Sequence, residues 1–152
     1  MSSKKLPVRS KVITIAVGLF AAVILFFIGF NFLRIQLDFR KYSNLAQDFN
    51  TEMGGGYSTE EDINCDVDET ACPSIKVTKS GLNFTLEEAQ NYRVKIENFY
   101  LNKGYQLSDV LDCRLDGESI TYCGFNANSV KEKIGARVGI DQDSLSMTIM
   151  RQ

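Results

Sequence analysis

Residues 12–33 read VITIAVGLFAAVILFFIGFNFL, an uninterrupted run of 22 uncharged positions in which only Thr14 and Asn31 are clearly polar. At the helical rise such a run reaches roughly 33 Å, enough to cross a hydrocarbon core of about 30 Å. A cleaved signal peptide would need a shorter apolar core, followed by a small-residue cleavage site. The run instead ends Phe30-Asn31-Phe32-Leu33-Arg34, which offers no such site. Residues 12–33 are therefore expected to form an uncleaved transmembrane helix. Gly18 and Ala22 make one small-residue step along it, a spacing common in membrane spans.

Lys4, Lys5, Arg9 and Lys11 precede the run with no acid among them, forming a basic tail over residues 1–11. Arg34, Arg40 and Lys41 follow it, diluted by Asp38. The bias of positive charge toward the cytoplasm then predicts a cytoplasmic N-terminus and a single-pass protein of the plasma or cytoplasmic membrane. Beyond the tail, 13 basic side chains face 19 acidic ones, a balance of −6. Phosphate binding needs a basic face, so nucleic acid is not an expected partner.

The helical pattern continues past the span. Ile35, Phe39, Tyr42, Ala46, Phe49 and Met53 recur at steps of three and four, with Leu45 beside them. This predicts an amphipathic stalk helix over residues 34–53. Its stripe faces either the protein's own domain or a second helix in an oligomer. Gly54-Gly55-Gly56 ends it.

Residues 54–74 read as a Gly-rich, acidic loop. Asp62, Asn64, Asp66 and Asp68 alternate in the manner of the first half of a calcium loop. Val67 stands where that loop needs a glycine, and Pro73 where it needs a bidentate Glu. These four residues are a weak Ca²⁺ candidate, and no cofactor is expected.

Residues 75–152 read as an α+β domain. Residues 75–79 alternate as a strand. Thr85 and Glu88 make a capping box for a helix lined by Ala89, Tyr92, Ile96 and Phe99, widened by Leu86, Val94 and Tyr100, and closed by Gly104. Asn83-Phe84-Thr85 also fits a glycosylation sequon, with Thr85 already committed as the cap. Two hairpins follow. Residues 108–115 and 120–125 flank Asp116-Gly117, and residues 133–140 and 144–150 flank Asp141-Gln142-Asp143. Ile134, Ala136, Val138 and Ile140 alternate inward, as do Leu145, Met147 and Ile149, with Lys133, Gly135, Arg137 and Gly139 outward. The predicted order is β-α-β-β-β-β, one helix packed on an antiparallel sheet.

The four cysteines are Cys65, Cys72, Cys113 and Cys123, and four cysteines allow three pairings. If the first hairpin is symmetric about Glu118, Cys113 faces Cys123 within disulfide reach, and Cys65 with Cys72 closes the acidic loop. Zinc sites and thiol-redox centres use closer spacings such as C-x₂-C. Disulfides imply an oxidising compartment, which places residues 34–152 outside the cytoplasm.

The chain contains no histidine, which removes His metal ligands and Ser-His or Cys-His nucleophile pairs. A hydrolase working with Asp and Glu alone, such as a cell-wall glycosidase, remains a formal alternative, with no Trp to line a sugar cleft. The leading expectation is a non-enzymatic, extracytoplasmic interaction or structural module. It is held in lipid by residues 12–33 and docks on a larger membrane or cell-surface assembly, through a protein partner or as a homo-oligomer.

The layout also resembles that of a type IV pilin: a long N-terminal helix, half apolar and half amphipathic, then a loop and an antiparallel sheet with a disulfide. The resemblance implies a filament subunit. It is confined to layout. Val8 to Ala16 reads VRSKVITIA, without the Gly and Glu of a prepilin, and the helix beginning near Thr85 is an addition to the simplest pilin plan.

Overall fold

The computed structural model describes residues 8–62 and 73–152. The chain divides into two compact units, with the boundary between Leu37 and Asp38. The first unit is helical. Helix α1 runs over Val8–Glu52, and its apolar stretch from Ala16 to Leu33 is exposed throughout. It is long and apolar enough to cross a membrane.

The second unit is an α+β domain. Among the described residues it contains the end of α1, a second helix α2 (Leu86–Asn102) and eight strands. These are β1 (Ser58–Asp62), β2 (Ser74–Ser80), β3 (Gln106–Leu111), β4 (Leu115–Asp116), β5 (Ser119–Ile120), β6 (Cys123–Ser129), β7 (Ile134–Ile140) and β8 (Ser144–Arg151). Six of them form one sheet in the order β1-β2-β8-β7-β6-β3, and β4 with β5 makes a separate ribbon. Every pairing is antiparallel. The connection through α2 carries the chain from β2, near one edge, to β3 at the other.

Register explains which residues form the core. Phe125, Val138, Met147 and Val77 stand in one row across four strands, and Ala127, Ala136, Ile149 and Ile75 in the next. All eight are buried. Both helices cover this face. From α1 come Tyr42, Leu45, Ala46 and Phe49, with Met53 just beyond; from α2 come Ala89, Ile96, Phe99 and Tyr100. Aromatic rings link the layers. Phe49 meets Phe99 at 5.6 Å and Phe99 meets Tyr100 at 5.1 Å. Tyr100 in turn meets Tyr105 at 5.2 Å and Phe125 at 6.1 Å. Full burial of a side chain of this size is worth roughly 2–3 kcal/mol, and edge-to-face ring contacts add about 0.5–1.5 kcal/mol each. The Tyr100 hydroxyl donates to Met147 Sδ at 2.6 Å, so its polar end is satisfied within the core.

Both helices end in the same way. The amides of Gly54 and Gly55 donate to Thr51 and Asn50 carbonyls, and those of Gly104 and Tyr105 donate to Leu101 and Tyr100 carbonyls. These are paired Schellman bonds, and they need a left-handed residue, supplied by Gly54 at φ 89° and Gly104 at φ 80°. The start of α2 is the expected capping box. Thr85 Oγ1 accepts from the Glu88 amide, while the Thr85 amide donates to the Glu88 carboxylate. Those bonds hold the Glu88 carboxyl below its ordinary range.

Four expectations need correction. Residues 58–62 are strand β1, not loop. The segment STEED has no apolar alternation to betray it, and it is held by its ladder to β2, with the Ser58 and Thr78 hydroxyls 2.8 Å apart. Three of its five side chains are acidic, a composition that discourages further pairing at a sheet edge. The first hairpin centres between Gly117 and Glu118, because Asp116 pairs with Ser119. The order β-α-β-β-β-β therefore gains β1 and the β4–β5 ribbon. Val94 points to solvent, being 46% exposed. Finally, Gly135 and Gly139 face outward as expected, yet both are covered, Gly139 by the Tyr122 ring.

Two predictions follow from these contacts. Thr85→Ala should cost about 1 kcal/mol, read as a lower urea midpoint with unchanged slope. Burial is the leading cause that raises Tyr42, Tyr57 and Tyr105 from 10.0 to about 12. Each folded value lies above the unfolded one. The folded state then holds more protons between those values, so stability is full below pH 10 and falls as pH rises toward 12. Tyrosinate absorbance and circular dichroism should change together in that window; ionisation of all six tyrosines with the fold intact would contradict it.

Candidate functional site

The face of the sheet turned away from the helices is polar and open. One row across it reads Ser108, Asn126, Arg137, Thr148, Lys76 and Glu60. The next reads Leu111, Gly124, Gly139, Ser146, Thr78 and Ser58. Two depressions of about 260 Å³ each lie on this face, and both are lined by Asp109, Asn126 and Arg137. The first also takes in Asn128 and Gly135, and the second Tyr122 and Gly124.

Local backbone irregularity builds the site. Between Ser108 and Leu111, β3 carries an extra residue relative to β6, since Ser108 pairs with Asn126 and Leu111 with Gly124. Asp109 takes up the bulge in the left-handed region, at φ 51°. This conformation costs a non-glycine residue of order 1 kcal/mol, and bulges commonly re-aim side chains. Asp109 Oδ2 thereby accepts from Asn126 Nδ2 at 2.7 Å and from Ser108 Oγ at 3.2 Å. Asn128 Nδ2 reaches Ser108 Oγ at 3.4 Å. The result is a fixed amide and carboxylate array beside the exposed Arg137 guanidinium.

Glycine keeps the floor low. A Cβ on Gly139 would lie 2.5 Å from the Tyr122 ring, and one on Gly124 would lie 2.0 Å from the Val138 carbonyl. Tyr122 therefore lies against the backbone of β7, with 54% of its surface still exposed. The array offers donors, acceptors and one flat ring. Donors, acceptors and a ring held in fixed positions can bind a polar ligand.

A buried disulfide and an ion-pair relay hold the neighbouring segment. Cys113 and Cys123 are bonded, with Cα atoms 4.7 Å apart. Arg93 on α2 contacts Glu97 and Asp112 at 3.1 Å each, and Gln90 Nε2 donates to the Cys113 carbonyl at 3.4 Å. Helix α2 thus fixes the start of the ribbon. Among the described residues, four of the seven exposed large apolar side chains outside α1 lie in this stretch, namely Val110, Leu111, Leu115 and Tyr122.

A roomier depression of about 580 Å³ lies between the end of α1, the end of α2 and the turn after β6. Its edge carries the Asp48–Lys103 ion pair at 2.6 Å, and the buried Ser129 hydroxyl there accepts from the Glu132 amide.

Of the calcium candidates, Asp62 ends β1, exposed and opposite Ser74. Asn64, Asp66 and Asp68 lie outside the described residues, as does the expected Cys65–Cys72 bond. Among the described residues, no three His, Cys, Asp or Glu side chains are grouped to hold a metal ion. The open-face residues were not singled out as a site by the sequence. The alternation of Asn126 with Asn128, set against Gly135 and Gly139, was the available signal; the bulge that aims Asp109 left none. Compared with known proteins, the chain matches no family model, no curated protein and no solved structure.

Loss of the disulfide tests the ribbon's support. A bond spanning 10 residues constrains the unfolded chain by about 3 kcal/mol. Replacing Cys113 and Cys123 together by Ser should lower stability by that order. Protease cleavage should then appear first between residues 110 and 122, and equal cleavage across the domain would contradict a local role.

Proposed function

We propose that this protein is a single-span, membrane-anchored interaction module, non-enzymatic, whose domain lies outside the cytoplasm and docks on a larger membrane or surface assembly. The observation that carries the reading is the bare apolar stretch of α1, Ala16 to Leu33, continuous in one helix with a folded, disulfide-bonded domain. A fully exposed apolar helix of this length is stable only when lipid or other apolar helices surround it. The basic tail orients it with the N-terminus in the cytoplasm, and the stretch read as a stalk belongs from Asp38 onward to the domain. Docking falls to the ribbon, where the disulfide and the Arg93–Asp112 contact hold exposed apolar side chains in fixed positions. Pre-ordered apolar anchors of that kind lose little entropy on binding.

The test is crosslinking at native abundance in the protein's own membrane. Adducts larger than the monomer are expected. Leu115→Glu should abolish them while leaving the melting temperature within a degree or two, since Leu115 is 55% exposed. Capture of monomer alone, from the unaltered chain, would remove the docking reading.

A filament subunit is the second reading, favoured by one feature of α1. The same helix that is bare from Ala16 to Leu33 buries Tyr42, Leu45, Ala46 and Phe49 in the domain core. Copies could then bundle through their bare segments. The mass of the mature protein separates the readings: an intact N-terminus is expected for the anchored module, and a trimmed one for a processed subunit.

A further inference from the structure

We infer that the depression beside Tyr122 and Gly124 on the open sheet face is a saccharide-binding site, taking the apolar face of a pyranose ring on Tyr122 and its hydroxyls on Asp109, Asn126 and Arg137. A sugar ring presents C–H groups on its faces and hydroxyls around its rim, and each hydroxyl both donates and accepts. Its complement is a flat aromatic surface bordered by planar polar side chains of mixed character. Tyr122 supplies the surface. The Cε2–Cζ–hydroxyl end of its ring lies over Gly139, and the residue is 54% exposed, which leaves ring surface for a ligand. The absence of Trp from the chain is met by this tyrosine.

The border is mixed in the required way. Asp109 Oδ2 is committed to Asn126 and Ser108, which fixes the carboxylate and leaves Oδ1 to accept. Asn126 spends its amide on Asp109, which leaves its carbonyl oxygen to accept. Arg137 offers guanidinium donors and has no carboxylate within ion-pair distance among the described residues. The left-handed strain at Asp109 is a second, independent sign, because strained non-glycine residues concentrate where ligands are held.

Other occupants fit less well. An anion would meet Asp109 in both depressions. A peptide strand binds by backbone pairing at a sheet edge, whereas Asn126 and Arg137 lie on β6 and β7, strands flanked on both sides in the sheet. β3, which carries Asp109, is an edge strand, but its bulge breaks the regular edge that strand addition needs, and the side chains of this set suit a neutral polyol. This site shares Tyr122 and Leu111 with the docking stretch, and Leu115, which lines neither depression, separates the two readings.

The experiment uses the full chain, isotopically labelled, in a zwitterionic detergent with no sugar headgroup. Cellobiose, chitobiose and maltose are titrated separately while the Asn126 amide, Arg137 guanidinium and Tyr122 ring signals are followed. At least one disaccharide should shift all three signals and saturate in the millimolar range. Tyr122→Ala and Arg137→Ala should each weaken binding roughly tenfold or more, with Tyr122→Phe retaining it. Arg137 is exposed, so its variant keeps the fold and remains informative if the Tyr122→Ala protein does not. Absence of shifts with all three sugars overturns the proposal. Shifts insensitive to both alanine variants overturn it too, as does an acidic hexapeptide that shifts these signals where the sugars do not. Leu115→Glu should leave sugar binding intact, so failure of docking and failure of this site are read separately.

Discussion

The domain depends on the contact of two helical faces with one side of a six-stranded sheet, made through aromatic rings. Phe49, Phe99, Tyr100 and Phe125 pass from α1 through α2 to β6 in consecutive ring contacts. With no tryptophan in the chain, these rings provide the bulk that closes the space between layers. Tyr100 is central because it is wholly buried and still finds an acceptor, Met147 Sδ, for its hydroxyl. An unsatisfied hydroxyl at that depth would cost about 1–3 kcal/mol. Its neighbours on β6 and β8 are thereby fixed in register, and register decides every other placement in the sheet.

That constraint has a consequence on the opposite side. Because side chains alternate along a strand, committing Phe125, Ala127, Val138 and Ala136 to the core commits Asn126, Arg137 and Gly139 to the open face. Residues with no packing duty become available for recognition. The open face is not uniform, since the bulge in β3 turns Asp109 toward it and Gly139 lets Tyr122 approach the backbone of β7. The array proposed for binding is thus a by-product of core register plus one backbone irregularity.

The ribbon follows a different logic. It lies outside the six-stranded sheet and has only two paired positions of its own. So short a hairpin is not stable alone. Its order comes from the Cys113–Cys123 bond at its base and from Arg93 and Gln90 reaching across from α2. The same α2 that covers the core therefore also positions the most apolar exposed stretch of the domain.

The sequence by itself determined the features that depend on local pattern. The apolar run from Val12 to Leu33, the Thr85–Glu88 cap, the Gly104 stop and the inward alternation of β7 and β8 were legible because each is written in neighbouring residues. The Cys113–Cys123 bond was expected from a hairpin symmetric about Glu118; the bond is present, although the turn is centred half a residue earlier. The tertiary structure alone decided what rests on distant partners. Strand β1 has no apolar signal and exists because β2 offers it a ladder. Val94 lies at the edge of its helical stripe, and only the placement of the sheet shows that the core does not reach it. Asp109, Asn126, Arg137 and Tyr122 come from three strands and a loop, and a bulge brings them together. A bulge is one extra residue in a pairing, and pairing is a relation between segments that periodicity within one segment cannot express.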